Sequence, residues 1–268
     1  MRDLVVVITG ASGGIGAALA ERVAQRGGIP VLAARREPEL RAAATRCGDR
    51  ALAVVADLTR REDARRVLDA AIARFGHVDV WVNNAGRGIT RPVSQLTDDD
   101  VDDMMRVNLK SALYGMQTVL PHFEARGRGH IINVSSMLGR VPYAPARAAY
   151  SAAKHALNAL TANLRMELRE RCPAIHVSTV SPGVVATEFG VHAMHGGRDS
   201  RQLPFAQPVE EVANVIADLI EHPRADVYAR PDLQSQVVAY FSAEDMAAAE
   251  GGFTPPGPPA GAAPQRRA

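Results

Sequence analysis

The chain has 268 residues, of which 47% are hydrophobic, and a formal net charge of +2 at pH 7. This apolar share is enough for one sizeable core, and so small a net charge gives no electrostatic basis for binding nucleic acid or a charged membrane. No apolar run approaches the roughly 20 residues that span a bilayer. The apolar run at residues 4–8 is too short for a secretory signal, so we expect a soluble cytoplasmic protein. Cys47 and Cys172 are too few to form a disulfide framework or a metal site.

Short apolar runs rich in β-branched residues alternate along the chain with longer amphipathic segments. Strands are predicted at residues 4–9, 31–35, 51–56, 78–82, 130–135, 175–181 and 226–229. Helices are predicted at residues 14–27, 37–47, 62–75, 98–123, 148–171 and 209–221. Strands that are apolar throughout are typical of a sheet covered on both faces. The alternation therefore predicts one α/β domain over residues 1–250, with a doubly wound parallel sheet and helices on both faces.

The last 18 residues differ in composition from the rest. Residues 251–268 are rich in Gly and Ala and contain five prolines, which exclude a regular helix: Pro255, Pro256, Pro258, Pro259 and Pro264. We predict that this segment is a flexible tail outside the domain.

An acidic cluster at residues 98–103 allows two interpretations. Carboxylates can bind a metal, but here they follow Thr97 at a predicted helix start, where an N-cap threonine and acidic residues are both favoured. We favour the helix start. His192 and His195 lack a carboxylate or cysteine partner at ligand spacing, so no metal site is expected.

A glycine-rich turn joins the first strand to the first helix. It reads Thr-Gly-Ala-Ser-Gly-Gly-Ile-Gly over residues 9–16. Gly10 permits a tight turn, Gly14 lets the backbone approach a pyrophosphate, and Gly16 lets the helix pack close to the sheet. The first turn of the helix then offers free N–H groups to phosphates. In this strand–helix context the pattern predicts a Rossmann-type dinucleotide site that includes Ser12, Gly13 and Ile15.

Two arginines follow the second strand, where a dinucleotide's adenosine ribose is expected. A carboxylate at this position would favour NAD by binding the 2′-hydroxyl. Arg35 and Arg36 stand there instead, and guanidinium groups bind phosphate. NADP(H) is therefore the predicted cofactor, the alternative being two solvated arginines in an arginine-rich chain.

Tyr150 and Lys154 lie four residues apart near the start of a long predicted helix, so they share one face. A nearby ammonium favours the phenolate and lowers the tyrosine pKa, which would suit acid–base catalysis. Only two of the 31 basic residues are lysines, Lys110 and Lys154, which marks both as positions where arginine could be unsuitable. Tyr143 has Arg147 four residues on, but Pro145 between them blocks a regular helix.

Two serines end the fifth predicted strand, and their role is open on position alone. Ligands of open parallel sheets bind beyond the carboxyl ends of the strands, so either Ser135 or Ser136 could donate a hydrogen bond to a substrate oxygen. A turn or capping role is an equal alternative.

Together these residues resemble the short-chain dehydrogenase/reductase family over about residues 4–230. The motifs that carry the resemblance are Thr9-Gly10-x-x-x-Gly14-x-Gly16, Asn83-Asn84-Ala85-Gly86, Asn108, Ser136, Tyr150-x-x-x-Lys154 and Pro182-Gly183. Each motif is modest evidence, but the set in this order and spacing is specific.

The resemblance implies an NADP(H)-dependent oxidoreductase that moves a hydride between nicotinamide and a carbonyl or alcohol carbon. It implies that Tyr150 donates or removes the proton, Lys154 lowers the tyrosine pKa and binds the nicotinamide ribose, Ser136 polarises the carbonyl, and Asn108 holds a water in a proton relay. It further implies cofactor contacts from Arg35, Asp57, Leu58, Asn84, Ala85, Gly86, Pro182, Gly183, Val185 and Thr187.

One spacing departs from the family pattern. Ser136 lies 14 residues before Tyr150, where 13 is commoner, and we expect the extra residue in the loop 140–147. That departure affects the expected shape of the substrate pocket more than the identity of the serine.

The lid segment and the resemblance also lead to expectations about the substrate, the oligomeric state and two alternative functions. The loop 187–208 is expected to form an apolar lid, hence a hydrophobic carbonyl or alcohol substrate, through Phe189, Val191, Met194, Leu203 and Phe205. Family members usually form homodimers or homotetramers. A catalytically silent NADP(H)-binding regulator would be expected to have a degraded Tyr–Lys pair. A nucleotide-sugar epimerase would need more chain after the last strand.

Overall fold

A computed structural model describes residues 1–251 of the chain. Its centre is one seven-stranded sheet, parallel throughout, with the order β3-β2-β1-β4-β5-β6-β7. The strands are β1 (Val5–Thr9), β2 (Ile29–Ala34), β3 (Leu52–Val55), β4 (Val80–Asn83), β5 (Gly129–Val134), β6 (Ile175–Ser181) and β7 (Asp226–Tyr228). The doubly wound parallel sheet that the sequence predicts is confirmed, and each predicted strand is present.

Nine α-helices lie within the described part of the chain. They are α1 (Gly14–Gln25), α2 (Glu37–Arg46), α3 (Arg61–Phe75), α4 (Asp98–Met105), α5 (Ser111–Arg126), α6 (Ala148–Arg171), α7 (Val209–Glu221), α8 (Pro231–Phe241) and α9 (Met246–Gly251). Glycines in the left-handed region follow α3 and α5, at Gly76 and Gly127, as is usual for helix C-termini.

The core divides into two apolar layers, one on each face of the sheet. Alternate residues of β1 point in opposite directions, so Val6 and Ile8 belong to one layer and Val5 and Val7 to the other. The first layer joins β1 to α1, α2 and α7, and the second joins it to α3, α5 and α6. All five residues of β1 are buried, which explains why the strand is apolar throughout.

The predicted helix 98–123 is wrong in its continuity. Residues Arg106–Lys110 form a π-helical turn between α4 and α5, and α5 continues to Arg126. Inside this turn the Asn108 side chain donates to the carbonyl of Met104, at 3.2 Å, so a side chain competes with the backbone hydrogen-bond ladder. The spacing of apolar residues in the sequence does not show that this one turn of the helix contains an extra residue.

The start of α4 bears out the interpretation of the acidic cluster. Thr97 Oγ1 accepts a hydrogen bond from the Asp100 backbone N–H at 3.2 Å, and Asp100 Oδ2 accepts one from the Thr97 N–H at 3.1 Å. This reciprocal pair is a capping box. The expectation that His192 and His195 lack a carboxylate partner is wrong, since His192 lies 3.3 Å from Glu188 and His195 lies 2.7 Å from Asp100. Within residues 1–251, however, no three His, Cys, Asp or Glu side chains are grouped so that they could hold a metal ion.

Helices α8 and α9 were not predicted. The signals for α8 are Pro231 in its first turn, where the missing N–H has no consequence, and Leu233 and Tyr240 seven residues apart on its buried side. Of the segment predicted as a tail, Gly251 ends α9, and residues 252–268 lie outside the described part of the structure. No helix within residues 1–251 has the length and apolarity needed to cross a bilayer.

Candidate functional site

A cavity of about 1330 Å³ lies at the carboxyl edge of the sheet, beside the β1–β4 pair. Strand order reverses at β1 and β4, and ligands of doubly wound sheets bind at such a point. The cavity is larger than the roughly 300–1,000 Å³ of most small-molecule sites, so it has room for a dinucleotide and a second ligand. Predicted site residues that line it are Gly10, Ser12, Gly13, Gly14, Ile15, Arg35, Arg36, Asp57, Leu58, Asn84, Ala85, Gly86, Ser136, Tyr150, Lys154, Pro182, Gly183, Val185 and Thr187.

The glycine-rich turn has the tight geometry that a phosphate cradle needs. Gly10 has φ +68°, and a Cβ added there would lie 2.8 Å from the Cα of Ala85. Gly16 lies behind the cavity wall, where a Cβ would lie 2.6 Å from the carbonyl oxygen of Gly10. At Gly14, φ +52°, a Cβ would lie 3.3 Å from Thr187 Cγ2, so a side chain there would fill the opening of the cradle. These positions therefore suit glycine, and α1 begins at Gly14 with its free N–H groups at the cavity.

A buried threonine braces the cradle against the β4 end. Thr9 Oγ1 accepts hydrogen bonds from the backbone N–H groups of Asn84, at 2.9 Å, and Ala85, at 3.0 Å. Its own proton goes to the carbonyl of Val82, and Asn84 Nδ2 donates to the Thr9 carbonyl at 2.9 Å. Asn84 and Ala85 are thus held beside Gly10 by the sheet itself.

The two arginines after β2 have different surroundings. Arg36 Nε donates to Ser12 Oγ at 3.3 Å, and a Cβ added at Gly13 would lie 3.2 Å from Arg36 Nη2, so this guanidinium lies against the cradle. Arg35 is exposed, lines the cavity and makes no hydrogen bond or ion pair with any described residue. Asp57 Oδ1 accepts from both the N–H and the hydroxyl of Thr59, which fixes the turn after β3.

The four predicted catalytic residues are all buried. Their exposed fractions are 1% for Asn108, 8% for Ser136, 7% for Tyr150 and 4% for Lys154. Tyr150 and Lys154 lie on the first two turns of α6, and Lys154 Nζ is 5.8 Å from the centroid of the Tyr150 ring. Lys154 Nζ donates to the Val134 carbonyl at 2.9 Å, at the end of β5. The structure thus brings a phenol, an ammonium and a serine hydroxyl together at one end of the cavity.

Asn108 lies behind the cavity wall, next to Lys154. A Cβ added at Gly86 would lie 2.9 Å from Asn108 Oδ1 and 3.8 Å from Lys154 Nζ. Asn108 Nδ2 donates to the Arg87 carbonyl at 2.9 Å, and Asn108 Oδ1 accepts from the Arg87 N–H at 3.1 Å. The π-helical turn therefore aims the amide at the Gly86–Arg87 backbone, and its predicted water contact stays a prediction.

Burial controls both titratable groups of the pair. It raises the pKa of Tyr150 to about 12, and a hydrogen bond with Ser136 and the positive charge of Arg147 act in the opposite direction. Burial lowers the pKa of Lys154 to about 8. The lowering of the tyrosine pKa by Lys154 stays a prediction. In this structure the Lys154 ammonium donates to the Val134 carbonyl.

The two serines after β5 are distinguished by their neighbours. Ser136 makes the hydrogen bond that acts on Tyr150, and its Oγ also accepts from the Leu138 N–H at 3.1 Å, so it combines the site and capping roles. Ser135 Oγ is buried without a hydrogen-bond partner among the described residues, and a Cβ added at Gly139 would lie 2.8 Å from it. Ser136 is therefore the serine that faces the tyrosine.

The segment 187–208 covers the cavity and is tied down near its middle. Three of the five residues predicted to form an apolar lid, Phe189, Leu203 and Phe205, line the cavity. The Phe189 ring packs edge-on against Tyr150, with centroids 5.5 Å apart. Met194 instead packs against a small apolar cluster that contains Tyr150 and Ile89. Val191 is 46% exposed. The predicted apolar lid is thus only partly directed at the cavity.

Several cavity residues were not singled out from the sequence. Arg147, the last residue of the 3₁₀ turn Pro145–Arg147 just before α6, lines the cavity near Tyr150. Its spacing of three residues from Tyr150 was the available signal. Leu233 and Gln236 of α8 also line it, and they could be found only by predicting that helix.

Comparison with known proteins assigns the chain to a family. Residues 4–195 match the family described as short chain dehydrogenase. YxnA of Bacillus subtilis strain 168, an uncharacterized oxidoreductase, is 34% identical over 235 residues, which are 85% of this chain and 65% of YxnA. The chain therefore spans slightly less than two thirds of that relative.

Solved structures agree on the fold and differ in cofactor. A short-chain dehydrogenase/reductase from Burkholderia phymatum, in complex with NAD, has a TM-score of 0.82 and 25% identity, covering 96% of this chain and 98% of that one. An alcohol dehydrogenase from Thermococcus sibiricus, complexed with 5-hydroxy-NADP, has a TM-score of 0.74 and 27% identity, covering 84% and 95%. Fold, site and relatives together make this chain a member of the short-chain dehydrogenase/reductase family of oxidoreductases, which bind a nicotinamide cofactor.

Proposed function

We propose that this protein is an NADP(H)-dependent oxidoreductase that interconverts a carbonyl compound and the corresponding alcohol. The observation that carries the proposal is the meeting of Ser136, Tyr150 and Lys154 at one end of the cavity that the glycine-rich cradle opens into. A dinucleotide in the cradle would bring the transferable hydride, and the chain would supply the proton.

The cradle suits the pyrophosphate and adenosine parts of the cofactor. Gly13, Gly14 and Ile15 at the start of α1 would bind the phosphates through backbone N–H groups. Asp57 and Leu58 would lie beside the adenine, and Thr187 beside the nicotinamide carboxamide, since all three line the same cavity. These assignments are supported by position and by the family pattern.

The choice of NADP(H) over NAD(H) depends on the residues after β2. No carboxylate stands at the positions of Arg35 and Arg36, and both side chains line the cavity. Arg36 is held against Ser12 and the cradle, whereas Arg35 is free to turn toward a 2′-phosphate. A guanidinium binds phosphate through charge-assisted hydrogen bonds that the 2′-hydroxyl of NAD(H) does not offer. Since the two solved relatives carry different cofactors, this local pair is the stronger argument.

Tyr150 is the proton donor for reduction and the acceptor for oxidation. Its pKa of about 12 keeps the phenol protonated at neutral pH, which fits donation to a carbonyl oxygen as the hydride reaches the carbonyl carbon. Ser136 would donate a hydrogen bond to the same oxygen. Lys154 would return a proton to the phenolate, and Asn108 would hold a water that supplies Lys154 with a proton from solvent; both side chains adjoin Gly86. The carbon gains the hydride, the oxygen gains the proton, and an alcohol leaves.

The apolar side chains over the cavity favour a hydrophobic substrate. Phe189, Leu203 and Phe205 line its outer part and would pack on an apolar substrate body. We also propose a homodimer or homotetramer, in keeping with exposed apolar residues on α4 and α6: Val101, Leu160 and Met166. Light scattering of the purified protein measures the subunit number.

Cofactor binding is the first test. Binding of NADPH and NADH is measured by nicotinamide fluorescence for the wild-type protein, Arg35→Ala and Arg36→Ala. We expect tighter binding of NADPH than NADH, and a selective loss of NADPH affinity in at least one variant. Equal affinities that neither variant changes would reject NADP(H) but leave the family intact. A screen of hydrophobic ketones with NADPH, with Tyr150→Phe as the inactive control, tests turnover. Bound cofactor without any turnover would favour the silent regulator.

A further inference from the structure

The guanidinium of Arg147 has a fixed place in the wall of the cavity. It extends from the 3₁₀ turn that precedes α6, and its Nη1 donates to the carbonyl oxygen of Ile89 at 2.9 Å. Arg147 is the N-cap residue of α6 and Tyr150 is the third residue of that helix, and both side chains line the cavity. The loop 140–147, where the spacing departs from the family pattern, therefore ends in a cation beside the predicted proton donor.

Neighbouring side chains show which part of the cavity this cation faces. A Cβ added at Gly88 would lie 2.9 Å from both Arg147 Nη1 and Phe189 Cε1, so the guanidinium and the lid phenyl ring adjoin the same point. One added at Gly197 would lie 3.2 Å from Arg147 Nη2. Because Phe189 also packs edge-on against Tyr150, Arg147 belongs to the substrate end of the cavity rather than to the phosphate cradle.

The charge of Arg147 is not balanced by the described part of the protein. Arg147 is half-buried, burial lowers its pKa, and no carboxylate of residues 1–251 lies within 4.0 Å of it. By contrast, the lid residue Arg201 pairs with both Asp199 and Glu188. The Nε and Nη2 groups of Arg147 make no hydrogen bond to any described residue, although neither is sealed from the cavity. Withdrawing an unpaired charge from water is costly, so the free donors of this partly buried guanidinium indicate a ligand with a negative charge.

We propose that Arg147 binds a carboxylate of the substrate, and that the substrate is an apolar keto acid or the corresponding hydroxy acid. This inference rests on the proposed function and narrows its substrate class. A carboxylate matches the planar fork of a guanidinium and can accept two parallel hydrogen bonds from it. With the carboxylate on Arg147, the carbonyl lies at Ser136 and Tyr150, and the apolar chain packs on Phe189. The carboxylate is unchanged by the reaction, which reduces only the carbonyl.

Binding of an unreactive pair of ligands tests the inference without turnover. Calorimetry measures 4-phenylbutanoate and 4-phenylbutanamide, which differ in charge but hardly in shape, on the wild-type protein with and without NADP⁺. We expect the acid to bind at least about tenfold more tightly than the amide, in keeping with hydrogen bonds between charged groups. In Arg147→Met this ratio falls to near one, and Arg147→Lys retains part of it. Arg169→Met, which removes an exposed charge from α6, keeps the wild-type ratio.

The outcomes separate this inference from the proposed function. Equal binding of acid and amide by the wild-type protein, or no binding of the acid at millimolar concentration, would overturn the inference. So would an acid preference that persists in folded Arg147→Met. The wild-type ratio is informative even if the variants do not fold. If NADPH does not bind, the proposed function fails, while an acid preference that depends on Arg147 still stands. NADPH affinity is expected to be unchanged in Arg147→Met.

Discussion

His195 Nε2 lies 2.7 Å from Oδ1 of Asp100, and this contact joins the middle of the lid segment to the start of α4. The Asp100 carboxylate is buried, and hydrogen bonds from His195, the Thr97 backbone and Arg91 hold its pKa well below the usual range. It therefore stays ionised at neutral pH. His195 adopts φ +60°, in the left-handed region that few non-glycine residues occupy. This His195–Asp100 contact, which we call the lid tether, joins a strained lid residue to an acid that the α4 capping box already holds in place.

Substitution of His195 by Asn is expected to loosen the lid without unfolding the protein. Asn tolerates the left-handed conformation but is too short to reach Asp100. We expect faster hydrogen exchange at the amides that join lid and β4 loop, those of Met194 and Thr90, and a several-fold rise in KM for the carbonyl substrate. Mass spectrometry of peptides that contain Thr90 and of peptides from 187–208 measures the exchange. His192→Asn is the control for the exchange measurement, since the only side-chain partner of His192 among the described residues is Glu188, at 3.3 Å, within the same segment. Unchanged exchange in His195→Asn would show that the tether does not hold the lid.

Replacement of Lys154 by Arg is expected to lower kcat/KM by at least about 100-fold, a typical contribution of positioned acid–base groups. Lys154 is 4% exposed, and its compact ammonium fits between the Val134 carbonyl and Gly86, where the larger planar guanidinium does not. A guanidinium also stays charged where the Lys154 pKa is about 8. Steady-state rates with NADPH and a ketone measure the loss. Lys110→Arg, at the other and exposed lysine, is expected to match the wild type. Activity in Lys154→Arg above about a tenth of wild type would contradict the assigned role.

Much of the architecture could be predicted because it depends on local patterns. A strand that is apolar throughout, such as Val5–Thr9, indicates burial on both faces of the sheet. The glycines of the cradle indicate a turn whose geometry excludes side chains. Thr97 reports a helix start because capping needs only residues three positions apart. Each of these signals lies within a few residues of the feature that it specifies.

The features that could not be predicted depend on contacts between distant segments. The Arg147 side chain is positioned by a hydrogen bond to the carbonyl of Ile89, 58 residues away, and no periodic pattern in the sequence predicts this contact. The π-helical turn at Asn108 is fixed by hydrogen bonds with Arg87, 21 residues away. Burial raises the pKa of Tyr150, and burial is a property of the assembled fold.

Thr9→Val is expected to reduce the free energy of unfolding by about 1–3 kcal/mol, because the isosteric side chain leaves the N–H groups of Asn84 and Ala85 without their acceptor. Thr9 is 2% exposed, so water does not replace the lost bonds. Chemical denaturation measures the change, and NADPH affinity is expected to fall with it because the cradle loses its brace. Thr45→Val is the matched control, as the exposed Thr45 hydroxyl only donates to a carbonyl of its own helix. Equal stability of the two variants would show that the brace contributes little.

His130 is expected to make the protein lose stability in acid. Burial lowers the pKa of this histidine to about 3, and its Nε2 lies 2.8 Å from Ser178 Oγ, which donates its own proton to the Arg224 carbonyl. His130 is therefore a neutral donor in the folded state, while in the unfolded state it takes up a proton below about pH 6.5.

Because the pKa of His130 is depressed in the folded state, the unfolded state binds more protons between about pH 6.5 and about pH 3. Each pH unit in that window then costs about 1.4 kcal/mol of stability. The difference between the free energies of unfolding at about pH 6 and about pH 4 should be smaller in His130→Leu than in the wild type, by up to about 3 kcal/mol over these two pH units. His222→Leu, at an exposed histidine, should keep the wild-type slope. Coincident pH profiles for His130→Leu and the wild type would show that His130 does not contribute to the acid response.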